Sequence, residues 1–274
     1  MQNAEYQEMP CISSHWLKDM LDSPITCYRK HLDPLRTESK PSGAMRFGTL
    51  IHCLALTPLQ FGQEFILNTD NRRTKAGKAH YAELARTGRI LITPDEFERA
   101  RAIVAALKAP PDARQLLTGG QKEKTFIQER ERGLLPLKAR LDIHHAPQRL
   151  VVELKTIHDL HRIQTAIHRY RYLLSAAFYA NISQSLSVHF IFVQTQEPYE
   201  VEVFETSRLD LQEGREQVQL ALRRFDECWQ ANDWPEAEPV KTTDDDDPLM
   251  MPDAALIASK STNRRSSSIG ELAL

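Results

Sequence analysis

Residues 133–156 read GLLPLKARLDIHHAPQRLVVELKT, and their pattern decides the fold class. Leu137, Ala139 and Leu141 alternate with Lys138, Arg140 and Asp142. Further on, Leu150, Val152 and Leu154 alternate with Val151, Glu153 and Lys155. Side chains on a strand point to opposite faces with period two, so this is a pair of strands. The turn between them is His144-His145-Ala146-Pro147-Gln148, with proline where no strand interior could hold it. The apolar sets are expected to face a core. Asp142, Glu153 and Lys155 are then expected to share the other face at the strand ends.

Two carboxylates and an ammonium brought together have a chemical use. Carboxylate oxygens are the hard ligands that Mg²⁺ prefers, and Mg²⁺ takes few ligands from protein. The cation supplies a nucleophile from water and stabilises charge on a phosphate, while a lysine orients the water. The spacing of Asp142, ten residues, then Glu153-Leu154-Lys155 resembles the core motif of the PD-(D/E)XK nucleases. The same residues also read as an exposed hairpin face with ordinary charges.

The chain has 274 residues, of which 41% are hydrophobic and 26% charged, enough for a sizeable core. Lys plus Arg total 35 and Asp plus Glu 37; from Lys241 onward there are 4 basic and 6 acidic residues, so the body carries 31 of each. A neutral body argues against a general histone-like DNA binder but allows local basic grooves. Cys11, Cys27, Cys53 and Cys228 form no CxxC pair, against zinc or thioredoxin chemistry. They read as reduced thiols of a cytoplasmic protein. No apolar run is long enough to span a membrane, and no signal peptide is present.

Ser13 or Ser14 caps a helix through about Leu21, and residues 25–32 read as another. Residues 44–58, AMRFGTLIHCLALTP, predict a largely buried helix with Gly48 and His52 on one face. His52 reads either as a satisfied core histidine or as the nitrogen ligand that completes an oxygen-rich site. Residues 71–78, NRRTKAGK, form a basic loop suited to phosphate or simply solvated, with Arg72, Arg73 and Lys75 as candidates. Thr93 and Glu96 make a capping box for a helix over 94–108, which Pro110-Pro111 ends. A strand follows over 123–129. Residues 159–181 read as one long helix with Tyr170 inward and a basic opposite face. Strands over 187–194 and 199–206 precede a helix over 209–229 with Val218, Leu222, Phe225 and Trp229 inward.

Gly48-x-x-x-His52, NRRTKAGK, Arg140-Leu141-Asp142, Glu153-Leu154-Lys155-Thr156 and Tyr170-Arg171-Tyr172 with Ala177-Phe178-Tyr179 stand in one order. In that order they resemble the phage-type exonuclease VIII family, related to lambda exonuclease and to RecB-type nuclease domains. The resemblance runs from about Ser13 to Pro235. It implies an α/β fold with a PD-(D/E)XK core, a mixed central sheet flanked by helices. It implies a 5′-to-3′ exodeoxyribonuclease on linear double-stranded DNA, dependent on Mg²⁺ with Mn²⁺ able to substitute. The 3′ single strand left behind would serve recombination with a single-strand annealing protein. A ring-shaped homo-oligomer is also implied, with a trimer preferred over a tetramer.

Carried over by motif, His52, Asp142, Glu153 and the Leu154 carbonyl would hold the metal, and Lys155 would serve the attacking water. Arg140 and Tyr179, with Arg72, Arg73 and Lys75, would contact DNA. Ser175 stands where the family usually has Gln, which leaves that contact in doubt. Only Cys228 is late in the chain, so no iron–sulfur cluster is expected. Residues 1–240 are expected to form a single domain. Residues 241–274, with the acids Asp244 to Asp247, read as a disordered tail. Two alternatives remain: an endonuclease on the same fold, and a non-catalytic DNA-binding recombination scaffold.

Overall fold

The computed structural model describes residues 3–37, 41–70 and 73–236. These belong to one compact unit, Met1–Glu236. The tail, its acidic run and Arg72 lie outside the described residues. Helices α1 (Asn3–Glu8), α2 (Ser14–Asp22) and α3 (Pro24–His31) open the chain. Helix α4 (Gly43–Leu56) and the short α5 (Phe61–Glu64) lead into strand β1 (Phe65–Leu67). Next come α6 (Lys75–Ala85), β2 (Ile90–Ile92), α7 (Pro94–Leu107) and α8 (Pro111–Leu117). The strands β3 (Gln121–Gln128), β4 (Leu137–His145) and β5 (Leu150–Ile157) precede α9 (Ile163–Arg169) and α10 (Tyr172–Ser183). Strands β6 (Ser187–Gln194) and β7 (Val201–Glu205) and helix α11 (Arg208–Ala231) complete the described chain.

The main sheet has the order β3-β4-β5-β6-β7. Only β5 and β6 run parallel; the other pairs are antiparallel. Each face of this sheet carries its own core. One holds Leu17, Leu174, Phe178 and Phe225 from α2, α10 and α11, with Val151 and Phe190 from the sheet. The other holds Leu50, Ile51, Ile103 and Leu107 from α4 and α7, with Val152 and Leu154. Strand β5 therefore alternates between two cores, which is why it is apolar on both sides of Glu153. The architecture is the expected mixed sheet flanked by helices.

Four local expectations are corrected. Residues 159–181 do not form one helix: α9 ends at Arg169, and Arg171 takes the left-handed conformation at φ 47°. Pro110-Pro111 does not simply end α7, because Pro111 occupies the first position of α8, where a missing N–H costs nothing. The basic loop is half helix. Thr74 caps α6 by accepting the Gly77 N–H at 3.0 Å, so Lys75 and Lys78 lie in its first turn. Trp229 is 36% exposed, held at the surface by its indole N–H donating to the Gly133 carbonyl.

The hairpin departs from a regular ladder in the way that matters most. Strands β4 and β5 pair only beside the turn, through Ile143↔Val152, His144↔Val151 and His145↔Leu150. Beyond that they separate. The edge of β4 so released is taken by the N-terminal segment, where Ile12 bridges Leu137 and accepts the Lys138 N–H at 2.8 Å. Alternation also slips here. Leu137, Ala139 and Leu141 enter the first core, but Ile143 enters the second. The β3–β4 ladder skips Glu123 and Asp142, and Glu123 has φ 49°. The register is the same on both sides of this gap, so the ladder is interrupted for one residue pair without an inserted residue.

Candidate active site

The cluster occupies the point where β4 and β5 part. Continuing the register would pair Asp142 with Glu153, and side chains replace the backbone ladder there. The Asp142 N–H donates to Glu153 Oε1 at 3.2 Å, and the Leu154 N–H donates to Asp142 Oδ2 at 2.7 Å. Buried amides without partners cost free energy, so these carboxylates are fixed by the very groups the fork exposes. Lys155 Nζ donates to Glu153 Oε2 at 2.9 Å and stands 3.9 Å from Asp142 Oδ2. From α4, His52 Nδ1 lies 3.6 Å from Asp142 Oδ1. The Glu153 side chain is 3% exposed, against 21% for Lys155 and 27% for His52, so the cluster opens towards these two. Asp142, Glu153 and Lys155 thus converge through the fork and the interrupted β3–β4 ladder, not by sharing one face of a regular hairpin.

Each charge is shaped by its neighbours. Burial would raise the Asp142 carboxyl, but His52 and Lys155 outweigh burial and hold it at about 2. Burial and the Asp142 charge push Glu153 up, against the pull of Lys155. Burial disfavours the Lys155 ammonium, yet Glu153 and Asp142 leave it above an ordinary lysine. His52 is also raised, because Asp142 overcomes its burial. Lys155 is accordingly held as a cation beside the two carboxylates.

Among the described residues, no three His, Cys, Asp or Glu side chains are gathered as a ready-made metal cage. As the side chains stand, one Asp142 oxygen and both Glu153 oxygens accept hydrogen bonds, and His52 faces Asp142. The donor chemistry nonetheless fits a hard divalent cation: two carboxylates, an imidazole and a carbonyl. Leu154 C=O leaves an extended strand on the same edge as the N–H that reaches Asp142. Glu153 is raised by burial first and by the Asp142 charge second, and a cation would relieve the second.

Other expected residues fall around this cluster. Gly48 packs α4 against β5, with Thr156 Oγ1 3.4 Å from where a Cβ would stand. The Arg140 guanidinium lies 4.3 Å from the Tyr6 ring centre, and its Nε donates to Thr125 Oγ1 at 3.4 Å. Tyr179 is buried beneath the site with its hydroxyl 3.1 Å from Ser14 Oγ, so the position expected to touch DNA lies in the core. Ser175 is buried on the same helix. Arg73 and Lys75 flank the start of α6, which packs on β2.

Two residues escaped the sequence reading. Glu123 stands opposite Asp142, and burial together with the Asp142 charge pushes its carboxyl up to about 7. Lys18 of α2 has its Nζ 5.4 Å from the Tyr172 ring centre, while Lys155 Nζ is 5.9 Å from the same ring. Burial and the Lys155 charge bring Lys18 down to about 7. The only sequence signal was the Gly119-Gly120 pair before β3; register and helix placement supplied the rest.

A family described as a PDDEXK-like domain of unknown function (DUF3799) matches residues 13–242. The chain belongs to this family. Its core is a PD-(D/E)XK fold, with Asp142 and Glu153-Leu154-Lys155 at the fork between its strands. PD-(D/E)XK nucleases as a class work with divalent metal ions on DNA. No curated protein matches the chain. Among solved structures, a "Putative exonuclease" from Eubacterium rectale is similar at TM-score 0.64 and 16% identity, covering 95% of this chain and 98% of its own. A phage related exonuclease from Haemophilus somnus covers 58% of this chain and 85% of its own, at 13% identity and TM-score 0.34. At such identity the first likeness establishes a shared fold. No described helix is long and apolar enough to cross a membrane.

Proposed function

We infer that this protein is a divalent-metal-dependent nuclease that hydrolyses one strand of linear duplex DNA from its 5′ end. The observation that carries the hydrolytic reading is the meeting of Asp142, Glu153 and Lys155 at the β4–β5 fork, with His52 facing Asp142. The polarity and the preference for DNA ends follow from the ordered motifs that resemble the phage-type exonucleases. Asp142, Glu153, His52 and the Leu154 carbonyl would hold Mg²⁺, or Mn²⁺ in its place. The cation supplies a nucleophile at neutral pH and neutralises charge on the phosphate. Lys155 orients the attacking water and balances the charge that builds on the phosphate oxygens.

A neutral body gives little general adhesion to DNA, so holding on while the scissile bond advances calls for enclosure. A ring of identical subunits, three in preference to four, meets that need. The 3′ strand left behind is the substrate of a single-strand annealing protein. Digestion of linear and covalently closed plasmid, with and without Mg²⁺, tests the whole reading. Loss of the linear form alone, only with metal, is the expected result. Cutting of the closed circle would make it an endonuclease, and no cutting of either would leave a DNA-binding scaffold. A monomer by light scattering at assay concentration would remove the enclosure.

A further inference from the structure

The break between α9 and α10 builds something that a continuous helix could not. Residues two apart in a helix lie about 200° apart around its axis and point away from each other. With Arg171 in the left-handed region, the Tyr170 and Tyr172 rings instead come to 5.7 Å between centres, tilted by 33°. For a non-glycine residue that conformation is unfavourable. Arg171 is tied there by Nη2 donating to Asp22 Oδ1 at 2.9 Å.

Tyr170 is 51% exposed, whereas Tyr172 is backed by Phe190 at 5.6 Å and Phe192 at 6.1 Å. The outer ring therefore rests on a fixed inner one. Cations surround the pair. The Arg169 guanidinium is 5.7 Å from the Tyr170 centre, while Lys18 and Lys155 lie 5.4 and 5.9 Å from Tyr172. Residues 158–171 carry three arginines against the single Asp159, in a chain of net charge −2. A polyanion with flat bases is the ligand this surface complements. Each base has a π face for the exposed tyrosine, and its phosphates meet the cations.

We propose that Tyr170 and Tyr172, with Arg169 and Lys18, form a stacking subsite for an unpaired deoxynucleotide of the strand that enters the Lys155 site. This rests on the nuclease reading above for its purpose, but not for its detection. The strand is held by a base freed from its duplex partner, so its next phosphate is presented at the fork. A step without sequence preference suits an enzyme that advances along any sequence.

The test uses the full chain in EDTA, so that no cleavage occurs, and a short single-stranded oligodeoxynucleotide carrying 2-aminopurine at its 5′ end. Binding is expected to quench the fluorophore. Tyr170→Ala is expected to weaken binding roughly tenfold and remove the quench, and Tyr170→Trp to retain both. Equal affinity and quench in wild type and Tyr170→Ala would overturn the subsite. So would an altered oligomeric state in Tyr170→Ala with unchanged oligonucleotide binding, which assigns the ring to contact between copies. If the wild type binds and quenches but shows no metal-dependent hydrolysis, the nuclease reading fails and the stacking subsite stands.

Discussion

Asp142 and Glu153 each secure the other's strand: the Asp142 amide donates to Glu153 Oε1 at 3.2 Å, and the Leu154 amide donates to Asp142 Oδ2 at 2.7 Å. The two carboxylates proposed to hold metal are therefore also structural pins. Asp142→Asn and Glu153→Gln keep an oxygen acceptor for these amides while removing charge. Both are expected to fold normally and to lose metal-dependent cleavage by about 10²-fold or more, the scale of a lost electrostatic contact in a transition state. The alanine variants lose the same activity and about 1–3 kcal/mol of stability besides, from amides left without partners. Near-normal cleavage by either amide variant, in a plasmid digest, sinks the assignment.

Glu123 gives a pH signature. Its carboxyl is raised to about 7 by burial and the Asp142 charge, so the folded state keeps a proton that the unfolded state releases. Folding then binds more protons between about pH 4.5 and 7, and stability falls as pH rises through that window. Glu123→Gln removes the penalty. In EDTA it is expected to melt a few degrees higher than wild type at pH 8, and at about the same temperature at pH 4. An equal difference at both pH values would show that the charge is not the cause.

Two glycines should behave in opposite ways. At Gly48 an added Cβ meets Thr156 Oγ1 at 3.4 Å, an ordinary contact, so Gly48→Ala gains helix propensity of up to about 1 kcal/mol. At Gly214 the added Cβ would stand 2.1 Å from the Leu173 carbonyl oxygen, where α11 crosses α10. Gly214→Ala is expected to cost about 3 kcal/mol or more by prising apart two helices that share a core. Urea unfolding of the two variants measures both; similar midpoints would contradict the packing.

Arg140 lies under the Tyr6 ring at the edge of the site, where its charge also pulls Glu123 down. If it reads a 5′-phosphate, linear duplex with that group is digested faster than the 5′-hydroxyl form. The advantage should be roughly tenfold, the size of one charge-assisted hydrogen bond, and should shrink in Arg140→Ala. Equal rates on both ends would exclude the contact.

The sequence by itself determined the elements whose signals are local. The Thr93–Glu96 capping box is present with both of its bonds, and β6 spans the residues that its apolar run marked out. A turn at Pro147 joins β4 to β5 as proline and alternation required, though it is shorter than expected, since His144 and His145 still pair with β5. Period and capping depend on near neighbours. The spacing of Asp142 and Glu153-Leu154-Lys155 was legible for the same reason.

Only the tertiary structure decided how those residues meet. Beyond the fork, Ile12, far away in sequence, takes the edge of β4 that β5 leaves. Glu123 faces Asp142 through a β3–β4 register that no local pattern fixes. Lys18 reaches the site because α2 packs on α10, and Tyr170 turns outward because Arg171 finds Asp22 across the fold. A left-handed arginine breaks a helix that apolar period alone would continue. Contacts distant in sequence outweigh local preference of a few tenths of a kcal/mol per residue, and that balance is struck only once the chain has folded.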